Sequence, residues 1–187
     1  MTDEATPTET QTSHDAILEA LAHLCTELRQ VVDRSEVQRL LQKAAGAFDA
    51  TGLIVWLWEQ SSEELRLALV HGYSDKLLAH LPTVKRDADD ATAAAFRSKT
   101  TCEVASTPHT SGALIVPLLI PEGCAGVLAV ELQQGIRSTG SCRAAAIVLA
   151  AALTQLVHRS RPADPRAHER RPLPAASKYR PPVVPHQ

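Results

Sequence analysis

The sequence predicts an α+β fold: one mostly antiparallel sheet with the N- and C-terminal helices on one face. Three observations predict it. Residues 112–132 read GALIVPLLIPEGCAGVLAVEL, two apolar runs (113–120 and 126–132) around a short Pro-Glu-Gly-Cys-Ala turn. Each run has strand length, and Pro121, Gly123 and Gly126 are the punctuation expected between paired strands. Residues 53–58 and 65–70 form a second pair of short apolar runs bracketing a polar turn. Helical periodicity stands at both ends of the chain.

In chain order, residues 1–12 are Thr- and Glu-rich and almost without large apolar side chains, so they read as a disordered tail. Ser13 is the expected N-cap of a helix over residues 13–34. On it Ile17, Leu21, Leu24, Leu28 and Val31 recur at +4, +3, +4, +3, an a/d seam of about two heptads. This seam either packs on its own domain or pairs with a partner subunit. Ser35 and Gln38 have capping-box spacing and open a second helix whose apolar face is Val37, Leu40, Leu41, Ala44 and Phe48. After the first hairpin, residues 75–80 suit a short helix stopped by Pro82. Residues 89–98 read as a helix from their alanines, acidic first turn and late Arg97. Residues 101–105 are a short strand, residues 106–111 a loop of turn formers, and residues 138–158 the last helix. From Arg159 the composition changes to seven prolines, six arginines and a lysine, an extended disordered tail over residues 159–187.

A length of 187 residues suits one domain plus tails. Aromatics make up only 3%, so the core is built mainly from Leu, Val, Ala and Ile. A net charge of -2 gives no global attraction to nucleic acid or anionic membrane. Cys25, Cys102, Cys124 and Cys142 are scattered, with no C-x-x-C and no zinc-finger spacing. The polar, acidic N-terminus is no signal peptide, and the apolar run at 144–153 is about half a bilayer span. A cytoplasmic location with free thiols is expected, with neither nucleic acid nor membrane as partner.

Taken in this order, the segments resemble the GAF domain, a small-molecule-sensing relative of PAS. LLQKAAGAFDATGLIVWLWEQ looks like the family's opening, and ELRLALVHGYS is similar to its second strand with the His-Gly step. ATAAAFRSKTTCEV looks like its helix and short strand. GALIVPLLIPEGCAGVLAVEL resembles its signature hairpin, with Pro117 at a frequent proline position and Gly126 before V-L-A-V-E. The resemblance covers residues 35–158. It implies a central sheet of five or six antiparallel strands. One face would carry the first and last helices, often in a homodimer, and the other the loops that close a ligand pocket.

The family's chemistries differ in the residues they need. Cyclic-nucleotide binders of this family carry an Asn-Lys-Phe-Asp-Glu set, and QQGIRSTGSCRAA lacks it. The thiol-based free methionine sulfoxide reductases place cysteines before the short helix and ahead of the central hairpin. Here those regions hold Asp87, Ala88 and Asp89, and no cysteine in residues 106–111. Cys124 reads as an exposed thiol in a turn, the other cysteines as small hydrophobes. Haem-binding members use an axial His in the loop before the hairpin, where His109 stands. Trp56 and Trp58 share one strand face, and with Phe96 they are either pocket walls or core bulk. Glu63/Glu64 and Asp89/Asp90 read as solvated charges; no nucleophile–base pair, catalytic residue or metal set is visible. The expected function is a non-catalytic sensor. It would bind a small molecule near Trp56, Trp58, Phe96 and His109, dimerise through Ile17, Leu21, Leu24, Leu28 and Val31, and signal through a protein partner. The alternatives are a degenerate domain acting only as a dimerisation scaffold, or the thiol reductase.

Overall fold

The computed structural model describes residues 7–31, 33–78, 81, 83–107, 109–133 and 139–160. The chain runs α1 (Pro7–Gln30), α2 (Arg34–Ala47), β1 (Ala50–Glu59), β2 (Glu64–His71), α3 (Asp75–Leu78) and β3 (Val84–Lys85). It continues through α4 (Ala91–Ser98), β4 (Cys102–Val104), β5 (Ala113–Ile120), β6 (Gly123–Leu132) and α5 (Gly140–Ser160). The strands form one six-stranded sheet, ordered β3-β2-β1-β6-β5-β4, with every neighbouring pair antiparallel. The central positions of β1, β5 and β6 explain why their sequences are apolar on both faces.

Several local expectations shift. Helix α1 begins at Pro7, six residues before Ser13, so the expected tail over residues 1–12 is helical from residue 7. Proline is suited to a first helical turn because its fixed φ is already helical and its missing N–H would lack an intrahelical partner. The N-cap of α2 is Asp33, not Ser35: the Asp33 carboxylate accepts from the Glu36 N–H at 3.0 Å and from the Ser35 hydroxyl at 2.6 Å. A carboxylate two residues earlier outcompetes the hydroxyl for the orphan N–H groups. Gln38 is released from the expected capping box, and its side-chain amide donates to the Val70 carbonyl of β2. The central hairpin is also tighter than expected. Ile120 pairs with Gly123, leaving only Pro121 and Glu122 as the turn, and Cys124 belongs to strand β6. Gly123 permits this with φ +145°.

Two cores sit on opposite faces of the sheet. The larger joins Leu21, Leu24 and Leu28 of α1 and Leu40, Leu41 and Phe48 of α2 to Leu53, Val55, Leu114, Val116, Leu128 and Val130 of the sheet. Helix α5 completes it with Cys142, Ala145, Ala146, Leu149, Ala150 and Leu153. This helix is long and apolar enough to cross a membrane by length and composition (mean hydropathy 1.5), yet 39% of that window is buried within the fold. Helices α1 and α5 run parallel, because Arg159 of α5 donates to the Leu28 and Arg29 carbonyls at the end of α1. The Lys43 ammonium of α2 bridges both carboxylate oxygens of Glu27 at 2.8 Å, fastening α2 to α1.

The second core is covered by α4. Its N-cap Asp90 accepts from the Ala93 N–H at 2.8 Å, and its C-cap Lys99 takes a left-handed φ of 57°. Arg97 donates to the Arg86 and Ala88 carbonyls and so ties the preceding loop to the helix. Both sheet edges are short strands. Beyond Ile115, β5 has no β4 partner among the described residues, and Pro117, with no N–H to offer, blunts that open edge.

Candidate functional site

Alternation along the strands decides what faces α4. Ile54 and Trp56 of β1, Ile115 of β5 and Val127 and Ala129 of β6 point to this side, where they meet Leu65, Ala95 and Phe96. Trp56 and Phe96 are 5% and 8% exposed and pack into the core on this side. Trp58 is half-buried and stacks on Phe96, with ring centroids 4.6 Å apart and planes inclined by 28°. Such a pair contributes roughly 0.5–1.5 kcal/mol beyond its burial.

His109 stands apart from these rings. It is exposed in the β4–β5 loop, where Thr107 and Thr110 bridge to each other and the His109 N–H donates to the Thr107 hydroxyl. Register places this loop at the Ala113 end of β5, whereas Trp56 lies level with Val127 and Pro117. Four strand residues separate those levels, about 13 Å. The sequence candidates therefore form one aromatic cluster and one remote histidine, and no shared site brings them together.

At the Ala113 end, one row on the α4 side runs Ala113, Glu131, Gly52 across β5, β6 and β1. Tyr73, just after β2, lies over Gly52; a Cβ there would stand 2.6 Å from the tyrosine ring. Gly72, with φ +89°, makes the turn that delivers the ring, and any Cβ on it would collide with the Thr51 carbonyl oxygen. The Tyr73 hydroxyl is buried and has no hydrogen-bond partner among the described residues. Burial, and after it the neighbouring Glu131 carboxylate, push the phenol far above the ordinary tyrosine range. The two groups are close neighbours. Here the fold collects a neutral donor, a carboxylate and two glycines that admit close approach. The sequence signals were the His-Gly-Tyr step and a lone glutamate in the apolar run VLAVEL.

Cys25, Cys124 and Cys142 are poorly placed for thiolate chemistry, which needs a lowered pKa. Burial raises Cys25, Cys124 and Cys142 instead. Cys124, expected as an exposed turn thiol, is half-buried in β6 and its thiol donates to the Gly126 carbonyl at 3.1 Å. The tighter hairpin accounts for the difference, since it draws residue 124 into the ladder. Among the described residues no three His, Cys, Asp or Glu side chains gather as a metal would require.

The proposed seam residues lie on the other face. Leu21, Leu24 and Leu28 are buried against their own α2 and α5 side, while Ile17 and Val31 are partly buried against the same core. Outside this packing, α1 and α5 enclose an open groove of about 560 Å³ lined by Cys25, Leu28, Arg29, Val148, Ala152 and Arg159, among others.

The GAF domain family matches residues 36–159. The chain belongs to the GAF domain family. GAF domains are sensor and regulatory modules and are generally non-catalytic. No curated protein matches the chain. Among solved structures, it is similar to the GAF domain of a phosphoenolpyruvate-protein phosphotransferase from Coxiella burnetii. That likeness has TM-score 0.69 at 15% identity and covers 83% of this chain and 98% of that one. Free methionine-R-sulfoxide reductase from Neisseria meningitidis, solved with its substrate, has TM-score 0.67 at 17% identity, covering 79% and 91%. The second GAF domain of DevS from Mycobacterium smegmatis has TM-score 0.54 at 25% identity, covering 68% and 96%. The first two likenesses share the fold alone. Helix α1 precedes the family match, α5 extends through Ser160 instead of ending at residue 158, and the rest of the expected tail, residues 161–187, lies outside the described residues.

Proposed function

We propose that this GAF domain is a non-catalytic cytoplasmic sensor that binds a small molecule on the α4 side of the sheet and signals to a protein partner as a homodimer. The observation that carries the reading is the buried, unpartnered Tyr73 hydroxyl beside Glu131. An unsatisfied buried donor costs about 1–3 kcal/mol, and a ligand accepting from it would remove that cost. Gly52 and Gly72 let the Tyr73 ring lie close against the backbone at the same corner. Trp58, Phe96 and the ends of β4 and β5 would close the site further along, and His109 would contribute only if its loop folded inward.

A scaffold without ligand is the second reading, and it has its own support. Trp56 and Phe96 are core-buried, so side chains already fill the aromatic part of the α4 face. A thermal-shift screen of small metabolites separates the two. The sensor reading expects a compound that raises the melting temperature of the native chain, and of Glu131→Gln much less. No stabilising compound, or equal stabilisation of both, favours the scaffold. Loss of the same shift on replacing Cys102 and Cys124 with Ser, together with sulfoxide turnover by the native chain, would instead favour the reductase.

A further inference from the structure

We infer that the groove between α1 and α5 binds a single-chain amphiphilic carboxylate, a free fatty acid, with its head at Arg29 and Arg159 and its chain laid along α5 towards Val148. This site lies on the opposite side of the sheet from Tyr73 and Glu131 and does not depend on the ligand reading given above.

The walls of the groove are apolar. Cys25 and Leu28 form the α1 side, and Val148, Ala151 and Ala152 the α5 side. The two alanines leave open the space that longer side chains would fill. Burial raises the Cys25 thiol above its ordinary value, so it stays neutral and adds no charge to the wall. The enclosed volume of about 560 Å³ falls within the roughly 300–1,000 Å³ of small-molecule sites. Along α5 the lining runs from Val148 to Arg159, about 16 Å at the helical rise. A fully extended covalent chain advances about 1.2 Å per bond, so this length takes about thirteen or fourteen carbons.

Only one end of the groove is charged. Arg159 donates to the Arg29 and Leu28 carbonyls at 3.2 and 3.4 Å, which fixes its fork and leaves other N–H groups of the guanidinium for a ligand. Neither Arg29 nor Arg159 has a carboxylate partner among the described residues, because Glu27 is held on the α2 side by Lys43 and Arg39. Gln155 adds a side-chain amide at the same end. The C-termini of the two parallel helices bring about −0.5 charge each against two full positive charges, so a net of about +1 remains. Both arginines are exposed, so a carboxylate held there stays at the solvent boundary and escapes most of the cost of desolvation. Complementing the helix dipoles would account for the arginines but not for the apolar channel that leads away from them. A carboxylate with a long chain matches both.

The test titrates the full chain with sodium myristate below micelle formation, by calorimetry and by protection of Cys25 from iodoacetamide. The inference expects one myristate per chain and slower alkylation of Cys25. Affinity should rise about two- to four-fold for each methylene added between octanoate and myristate. Arg29→Gln combined with Arg159→Gln should weaken binding about tenfold or more, and Val148→Glu should weaken myristate more than octanoate. If the Arg159 change disturbs the fold by circular dichroism, Arg29→Gln alone should still weaken binding about threefold or more. Glu131→Gln should leave binding intact; a loss with that change would place the carboxylate on the α4 side and overturn the inference. Equal affinity for tetradecyltrimethylammonium, or binding that the arginine changes do not weaken, means an unselective apolar surface and also overturns it. So does the absence of myristate binding, including a chain that binds only phosphatidylglycerol vesicles.

Discussion

At the scale of single residues, two glycines and a tyrosine shape the α4 side, and a third glycine sets how closely β6 approaches β1. Gly126 lets β6 pass against the Trp56 carbonyl of β1, where a Cβ would overlap the oxygen. Gly126→Ala is therefore expected to lower stability by about 1–3 kcal/mol, the cost of overpacking, and chemical denaturation measures it. The same run of sequence shows Gly126 as a strand-flanking glycine; its close approach to β1 becomes visible only with register. Tyr73 predicts the opposite sign. Its hydroxyl has no hydrogen-bond partner to lose, so Tyr73→Phe should be neutral or stabilising by up to about 1 kcal/mol in denaturant unfolding. A loss of more than that would mean that the hydroxyl serves the fold and not a ligand.

At the scale of elements, caps and bridges hold the helices in place. Asp90 opens α4, the lid of the second core, and Asp90→Ala should cost about 1 kcal/mol of stability. Hydrogen exchange should rise first in residues 91–98 and leave α2 unchanged. Between α1 and α2, the Lys43 ammonium hydrogen-bonds Glu27 and lowers its carboxyl pKa. A carboxyl with a depressed folded pKa binds more protons when unfolded, so its stabilisation is complete above the unfolded value of about 4.3. It is lost as pH falls through the lower folded value. Asp33, held down by the Ser35 hydroxyl and Glu36 N–H, adds to the same acid limb. Lys43→Met should flatten that limb in thermal melts from pH 6 to 3, the change being small because the pair is exposed. An unaltered profile would assign the limb to other carboxylates.

At the scale of the whole molecule, the α+β class and both hairpins were legible in the sequence because β1, β5 and β6 are buried on both faces and write themselves as apolar runs. The seam of Leu21, Leu24 and Leu28 was legible as an apolar stripe, but periodicity does not say what covers it, and α2 and α5 of the same chain do. Ser35 was a reasonable cap that lost to Asp33, a choice made by local hydrogen bonding. The members of the Tyr73–Glu131 corner carry sequence signals, but their meeting was not legible. They lie far apart in sequence, Glu131 on β6 and Tyr73 just past β2, and meet only because Gly52 pairs with Glu131 and the Gly72 turn folds Tyr73 across it. The central claim is that this corner binds a small molecule, and native mass spectrometry tests it most directly. The full chain and its Glu131→Gln variant would be purified from the protein's own host and then gently denatured. The sensor account predicts a stoichiometric adduct on the native chain that falls away on unfolding and is absent or reduced in the variant. A native chain that carries no adduct, or an adduct retained equally by both proteins, would contradict it.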